Sequence, residues 1–258
     1  MEYIINPAVK HINVNNEAIL TLDELTAAIS FCNQAIKKLN SVTQDLDVNV
    51  FDLLGMRNLS SFVGEFFASS IEKCSNNKLV RNLHQDGYPD LLLHNTEARR
   101  AYYSSAFSLI NGRKCARSKN IFSPYREGGI EVKATCGSTP SALIKPKLLI
   151  GEQRIGLMTK FDWKAHHRET NNLLAILWDF INEVPAVTAC FYRNDLNVND
   201  WGKIVQPKEG GGRTTSVSIM TAAGVKKMCS GWLAVIKDEK YTHALANKKW
   251  IGANIMPL

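Results

Sequence analysis

The sequence predicts an α/β fold, one domain over residues 1–258 with insertions, on three observations. Apolar residues recur at three- and four-residue steps in two N-terminal stretches, the period of amphipathic helices. After Asn76-Asn77 the apolar runs shorten and take on the β-branched and aromatic character of strands. No internal repeat, low-complexity tract or clear linker interrupts the chain, and 258 residues at 45% hydrophobic and 21% charged can bury a full core.

Thr21-Leu22-Asp23-Glu24 reads as a capping box, and Leu22, Leu25, Ile29, Cys32, Ile36 and Leu39 continue it as a helix to about residue 39. A second helix is expected from about 59 to 73, where Leu59, Phe62, Val63, Phe66, Phe67 and Ile71 form the apolar face and Glu65 interrupts it. Residues 79–84 and 88–94 read as a hairpin turning through Gln85-Asp86-Gly87, and residues 129–135 as the next strand. The apolar runs 171–180 and 186–192, separated by Asn182-Glu183-Val184-Pro185, suggest two central strands, with a buried helix the alternative for the first. Gly210-Gly211-Gly212 opens into residues 213–219, whose tail alternates as a strand does; 221–228 suits a short helix and 232–236 a last strand.

Charge narrows the function. Lys and Arg number 31 against 24 Asp and Glu, a formal charge of +7. Residues 96–128, a basic insertion, hold Arg99, Arg100, Arg113, Lys114, Arg117, Lys119 and Arg126 against Glu97 and Glu127 alone. Tyr102, Tyr103, Phe107, Phe122 and Tyr125 are interleaved with these cations, a mixture suited to phosphates and bases, although such a run is also a common solvated surface. The longest apolar stretch, residues 173–181, contains Asp179 and is too short to span a bilayer. The N-terminus shows no secretory pattern, and the six cysteines show neither a C-x-x-C pair nor a disulfide framework, so a cytoplasmic, reduced protein is expected.

The chemistry concentrates in Tyr88-Pro89-Asp90 and in Gly129-Ile130-Glu131-Val132-Lys133-Ala134-Thr135. Residues two apart on a strand share a face, so Glu131 and Lys133 point together and Val132 points into the opposite layer. If the hairpin bearing Asp90 lies against this strand, Asp90 and Glu131 can share a hard divalent cation through oxygen ligands, with Lys133 beside the attacking water. That arrangement suits phosphodiester hydrolysis, in which the lysine orients or helps deprotonate the nucleophile and offsets charge developing on phosphorus. A short E-x-K alone is more often a salt bridge; the combination with Pro-Asp, a basic insertion and an upstream helical carboxylate is what carries weight.

The combination resembles the PD-(D/E)xK nuclease superfamily, and within it the type II restriction endonucleases, over roughly residues 55–137. Glu65, Asp90, Glu131 and Lys133 follow the family's order of helix glutamate, strand aspartate and E-x-K. The stretch from Asn171-Asn172-Leu173-Leu174 to Gly210-Gly211-Gly212-Arg213-Thr214-Thr215-Ser216 also looks like restriction endonuclease sequence. The connection between Asp90 and Glu131 is longer than usual in that family. The resemblance implies a restriction-endonuclease-like core, a mixed central sheet flanked by helices. It further implies Mg²⁺ held by Asp90, Glu131 and Glu65, cleavage of double-stranded DNA to 5′-phosphate and 3′-hydroxyl ends, and a DNA methyltransferase in the same system that is not a stable partner. A C2 homodimer on a palindromic site matches protein symmetry to DNA symmetry.

Three smaller expectations follow from the residues themselves. Glu65 has no lysine or arginine at three- or four-residue spacing, so it is expected without a neutralising cation. The glycine-rich loop lacks a P-loop lysine, which makes an NTPase a poor reading, and Arg213, Thr214, Thr215 and Ser216 suit a DNA groove as well as an ordinary turn. Arg113, Lys114 and Arg117 are the expected phosphate contacts of the insertion; His166-His167-Arg168 shows no metal-ligand spacing and reads as structural more readily than as a contact to phosphate or the leaving group. A repair or recombination nuclease of the same fold and a non-catalytic DNA-binding module are the competing functions.

Overall fold

The computed structural model describes residues 1–82, 84, 87–116, 118–122, 128–141, 143, 147–166, 168–207 and 216–252, the side chains of Arg57, Lys114 and Lys119 excepted. Strand β1 (Tyr3–Ile5) precedes a hairpin of β2 (His11–Val14) and β3 (Glu17–Thr21), which leads into helices α1 (Leu22–Gln44) and α2 (Val50–Cys74). The capping box closes as expected: Thr21 Oγ1 accepts the Glu24 N–H at 3.1 Å, and Glu24 Oε2 accepts the Thr21 N–H at 2.9 Å. Helix α2 is broken at Gly55, whose φ of 61° and ψ of 163° no helix interior holds. The part after this break is the helix that the apolar face predicts, and Val63, Phe67 and Ile71 are fully buried on it.

The chain continues through β4 (Leu79–Arg81) and β5 (Leu91–Leu93) into an excursion of α3 (Glu97–Ser105), β6 (Phe107–Ile110) and β7 (Arg113–Ala116). It returns as β8 (Gly129–Thr135) and passes β9 (Lys164–Ala165) to the long hairpin of β10 (Leu173–Ile181) and β11 (Val184–Arg193). Strand β12 (Ser218–Ile219), helix α4 (Ala222–Ser230), strand β13 (Trp232–Ile236) and helix α5 (Glu239–Asn247) complete the described elements. Seven strands form one mixed sheet in the order β1-β13-β11-β10-β8-β5-β4. Only β8 and β10 run parallel within it; the other neighbours are antiparallel.

Several expectations need correction. The run 171–180 is a strand paired on both sides, so the buried-helix alternative is excluded. The turn after it is only Asn182-Glu183, with φ of 49° and 66°. These left-handed values fit the right-handed twist of a two-residue hairpin, so Val184 and Pro185 already belong to β11, opposite Ile181 and Phe180. Strands β4 and β5 have three residues each, and Asp90 stands just before β5. Within the tail at 213–219, Ser218–Ile219 forms a strand and pairs with β9, while 213–215 lie outside the described residues, as do Gln85 and Asp86.

Both faces of the sheet are covered. Leu174, Ile176, Trp178 and Phe180 of β10 pack with Ile130 and Val132 against α1, α2 and the β2–β3 hairpin. Leu173, Ala175 and Leu177 face the other way, into a core with Phe161, Trp163, Trp201 and Tyr241. This explains why β10 reads as a continuous apolar run without alternation. In the β8–β10 ladder Glu131 lies beside Leu173, Lys133 beside Ala175 and Thr135 beside Leu177. The second face therefore changes from apolar to polar at β8, and there the candidate site lies. Among the described residues no helix is long and apolar enough to cross a membrane.

Candidate active site

The site is made by a fork in the sheet. Strands β5 and β8 pair at Leu91 with Ile130 and at Leu92 with Gly129, so the long connection between Asp90 and Glu131 does not prevent the two strands from meeting. Gly129 permits this approach, because a Cβ there would stand 2.2 Å from the Leu91 carbonyl oxygen. Before Leu91 the chain leaves the ladder. The Val132 N–H, which a longer strand would have bonded, donates instead to Asp90 Oδ2 at 2.7 Å. A side-chain carboxylate thus stands where a backbone acceptor would have been.

Lys133 Nζ reaches the same Asp90 oxygen at 3.3 Å and Glu131 Oε1 at 2.6 Å, so one ammonium bridges two carboxylates. Glu131 is fully buried, and among the described residues neither of its oxygens accepts a well-aligned hydrogen bond. Burial pushes the Glu131 carboxyl up to about 7; Lys133 opposes the rise and the Asp90 charge adds to it. Burial works against the Lys133 charge too, but Glu131 and Asp90 outweigh it and hold the ammonium above its ordinary value. As expected, Glu131 and Lys133 lie on one side of β8 while Val132 enters the helical layer.

Asp90 and Lys133 line an open cleft of about 920 Å³. One wall is α2, through Gly64, Glu65 and Ala68; the other comes from described residues between β8 and β10 and includes Lys147 and Arg154 as well as Lys164 of β9 and His166 beside it. The Tyr88 and His166 rings lie 6.4 Å apart between centroids. Thr135 hydrogen-bonds Asp162, whose other oxygen is 3.6 Å from Lys164 Nζ. No expectation had placed Lys147, Arg154, Asp162 or Lys164 here. They sit in a segment without helical or strand periodicity, and only their proximity to the E-x-K strand hinted at a role.

The remaining expected residues divide. Glu65 lines the cleft, but it is not unneutralised: it pairs with Arg81 of β4, and its side chain is 59% exposed. The cation comes from another element, which a search along one helix face cannot find. Ser216 is among the described residues: its carbonyl oxygen is 3.2 Å from His166 Nδ1 and its hydroxyl bonds Gln206. Arg213, Thr214, Thr215, Arg117 and His167 lie outside the described residues, and so does the side chain of Lys114. Arg168 is structural, donating to the Val198 carbonyl at 2.6 Å and to that of Trp201 at 3.3 Å.

The basic insertion departs most from expectation. Tyr103 and Phe122 are buried and stacked, with centroids 5.9 Å apart, and Phe107 packs on Phe122 at 5.3 Å. These rings hold α3 and the β6–β7 hairpin together and are not free to stack on bases. Arg99 is also consumed, bonding both Glu17 oxygens at 2.8 and 2.9 Å. Arg113 stands at the hairpin turn, where Leu109 and Ile110 are 77% and 55% exposed.

As a cation site, the Asp90 and Glu131 pair offers oxygen donors only, the donor type of a hard dication, while Lys133 bridges the two and Glu131 is buried below the cleft lining. Among the described residues no three His, Cys, Asp or Glu side chains gather as a metal cage. Comparison with protein-family models, curated proteins and solved structures finds no match. The chemistry of the site therefore rests on its own geometry.

Proposed function

We propose that the chain is a Mg²⁺-dependent, sequence-specific endonuclease of double-stranded DNA, of the PD-(D/E)xK restriction type. The observation that carries the reading is Lys133 bridging Asp90, which lines an open cleft with cationic residues in its wall, and Glu131, which is buried just beneath that lining. Asp90 and Glu131 would hold the ion, which supplies charge to polarise a phosphoryl oxygen; Mg²⁺ characteristically binds through one or two carboxylates plus substrate phosphates. Lys133 keeps its proton, so it orients the attacking water and offsets negative charge at phosphorus; the raised basicity favours this over removal of a proton. Water oxygen bonds to phosphorus as the bond to the 3′ oxygen breaks, leaving a 5′-phosphate and a protonated 3′-hydroxyl.

The glycine-rich loop, rooted at Ser216 beside His166, is the proposed reader of sequence, with Arg213 bridging guanine O6 and N7. Two copies would supply one centre per strand. Plasmid DNA incubated with and without Mg²⁺, followed by end mapping, tests the reading. Discrete fragments with 5′-phosphate ends support it. Cleavage dependent on mismatches or branches selects a repair nuclease, and binding without Mg²⁺- or Mn²⁺-dependent cleavage selects a non-catalytic module.

A further inference from the structure

Asp179 of β10 is only 2% exposed, yet its carboxylate is surrounded by donors. The Arg154 N–H reaches both oxygens at 2.8 and 3.0 Å, the Ile155 N–H one of them at 2.9 Å, the Phe180 N–H the other at 2.8 Å, and the Tyr241 hydroxyl lies at 3.0 Å. Burying a carboxylate costs several kcal/mol unless it is hydrogen-bonded in this way. The result is a fixed backbone at residues 154 and 155, inside an otherwise irregular segment.

What this fixes is an arginine on the cleft wall. Arg154 Nη2 is 3.3 Å from Thr139 Oγ1, and its Nε is buried with no hydrogen-bond partner among the described residues. No carboxylate of a described residue lies within 4.0 Å of it, whereas Arg81, Arg99 and Arg193 pair with Glu65, Glu17 and Asp195. A guanidinium with an unsatisfied buried donor, carried on a fixed stretch of backbone at a cleft wall, is matched by an oxyanion that presents two acceptors. Lys147 lines the same cleft, as does Lys164, whose ammonium is also 3.6 Å from Asp162; this spread of cations suits an anion with repeated charges better than a lone carboxylate.

We propose that Arg154 is a phosphodiester anchor, receiving a backbone phosphate of a polynucleotide in the cleft. The identity of the ligand rests on the nuclease reading; the anion site itself rests on Arg154 and Asp179. Asp179 is a positioning residue that acts through the Arg154 backbone.

The test is binding of a labelled mixed-sequence DNA duplex in Ca²⁺, titrated over a range of NaCl concentrations. Arg154→Ala is expected to weaken binding and to reduce the slope of log affinity against log salt by about 0.9, the share of one phosphate. Arg154→Lys keeps the charge, so it should keep the slope while giving up part of the affinity along with the bidentate fork. It also serves if Arg154→Ala melts below the wild type. Wild-type slope and affinity in Arg154→Ala would overturn the proposal, and if the wild type cleaves plasmid, the nuclease reading stands without it. An Arg154-dependent slope in a protein that never cleaves would do the reverse. No duplex binding by the wild type would overturn both.

Discussion

The β5–β8 fork and the excursion between those strands contain the same kinds of residue, put to opposite use. In the excursion the charges and rings that suggested DNA contact are largely spent on the fold: Arg99 on Glu17, Tyr103, Phe107 and Phe122 on one another. At the fork, three charges are held together while one carboxylate is buried without an aligned hydrogen bond. The difference teaches that the number of charged residues in a segment says less about function than whether burial leaves their demands unmet.

The largest effect expected from this comparison is at the fork. Lys133→Ala, Asp90→Ala and Glu131→Ala should each lower plasmid cleavage by about 10²–10⁴-fold, and the double variants should lose little more than the singles if the three serve the one reaction centre proposed. Lys133→Ala also leaves Glu131 buried without its partner, so its unfolding free energy should drop by about 3–5 kcal/mol, measured by urea denaturation. Wild-type cleavage by any of the three would remove that residue from the centre.

A smaller loss is expected at Gly129, where the fork depends on close backbone approach. Gly129→Ala puts a methyl group against the Leu91 carbonyl and should cost about 1–3 kcal/mol of stability. It should lower cleavage as well, since Asp90 is aimed by the same strand contact. Undiminished stability with full cleavage would mean that the fork closes equally well without glycine.

Much of this fork is readable from the chain alone. The capping box at Thr21, the apolar face after Gly55, the β8 strand and the β13 strand are all written in local pattern, and so is the shared face of Glu131 and Lys133. The rest depends on contacts between distant segments. Strand β1 exists by pairing Tyr3 with Ile236, and Arg81 reaches Glu65 from another element. Helix α5 shows few apolar positions beyond Tyr241 and Leu245, too sparse a stripe to announce itself. The cationic cleft wall comes from Lys147 and Arg154, which lie outside helices and strands, and from Lys164 of the two-residue β9, where no periodicity in the sequence encodes side-chain direction.

The remaining cations of the excursion offer the next test. Reversal of Arg113, Lys114 and Arg117 should weaken binding to all duplexes and reduce the salt slope by roughly 0.9 for each phosphate that is no longer neutralised. Cleavage at saturating DNA should be unchanged, because the insertion is proposed to bind phosphates and not to act at the reaction centre, and Arg113, the one of the three whose side chain is described, is not in the cleft lining. An unchanged slope would leave the hairpin a solvated surface and extend the contrast with the fork.

The smallest effect concerns the pair that anchors the excursion. Hydrogen bonds from Arg99 and then Asn95 lower the Glu17 carboxyl from 4.5 to about 2. A carboxyl lowered in the folded state contributes stability that is present above its ordinary value and is lost as the pH falls through the folded value. Glu17 is 41% exposed in its side chain, so the screened contribution is about 0.2–1 kcal/mol. Thermal unfolding of the wild type and Glu17→Gln should therefore differ slightly at neutral pH, and the two should converge between pH 4.5 and 2. A difference that persisted to pH 2 would mean that the ion pair does not hold α3 to β3. Arg99 would then be as available to a polyanion as Arg113, and the excursion would regain the cationic face that its composition suggests.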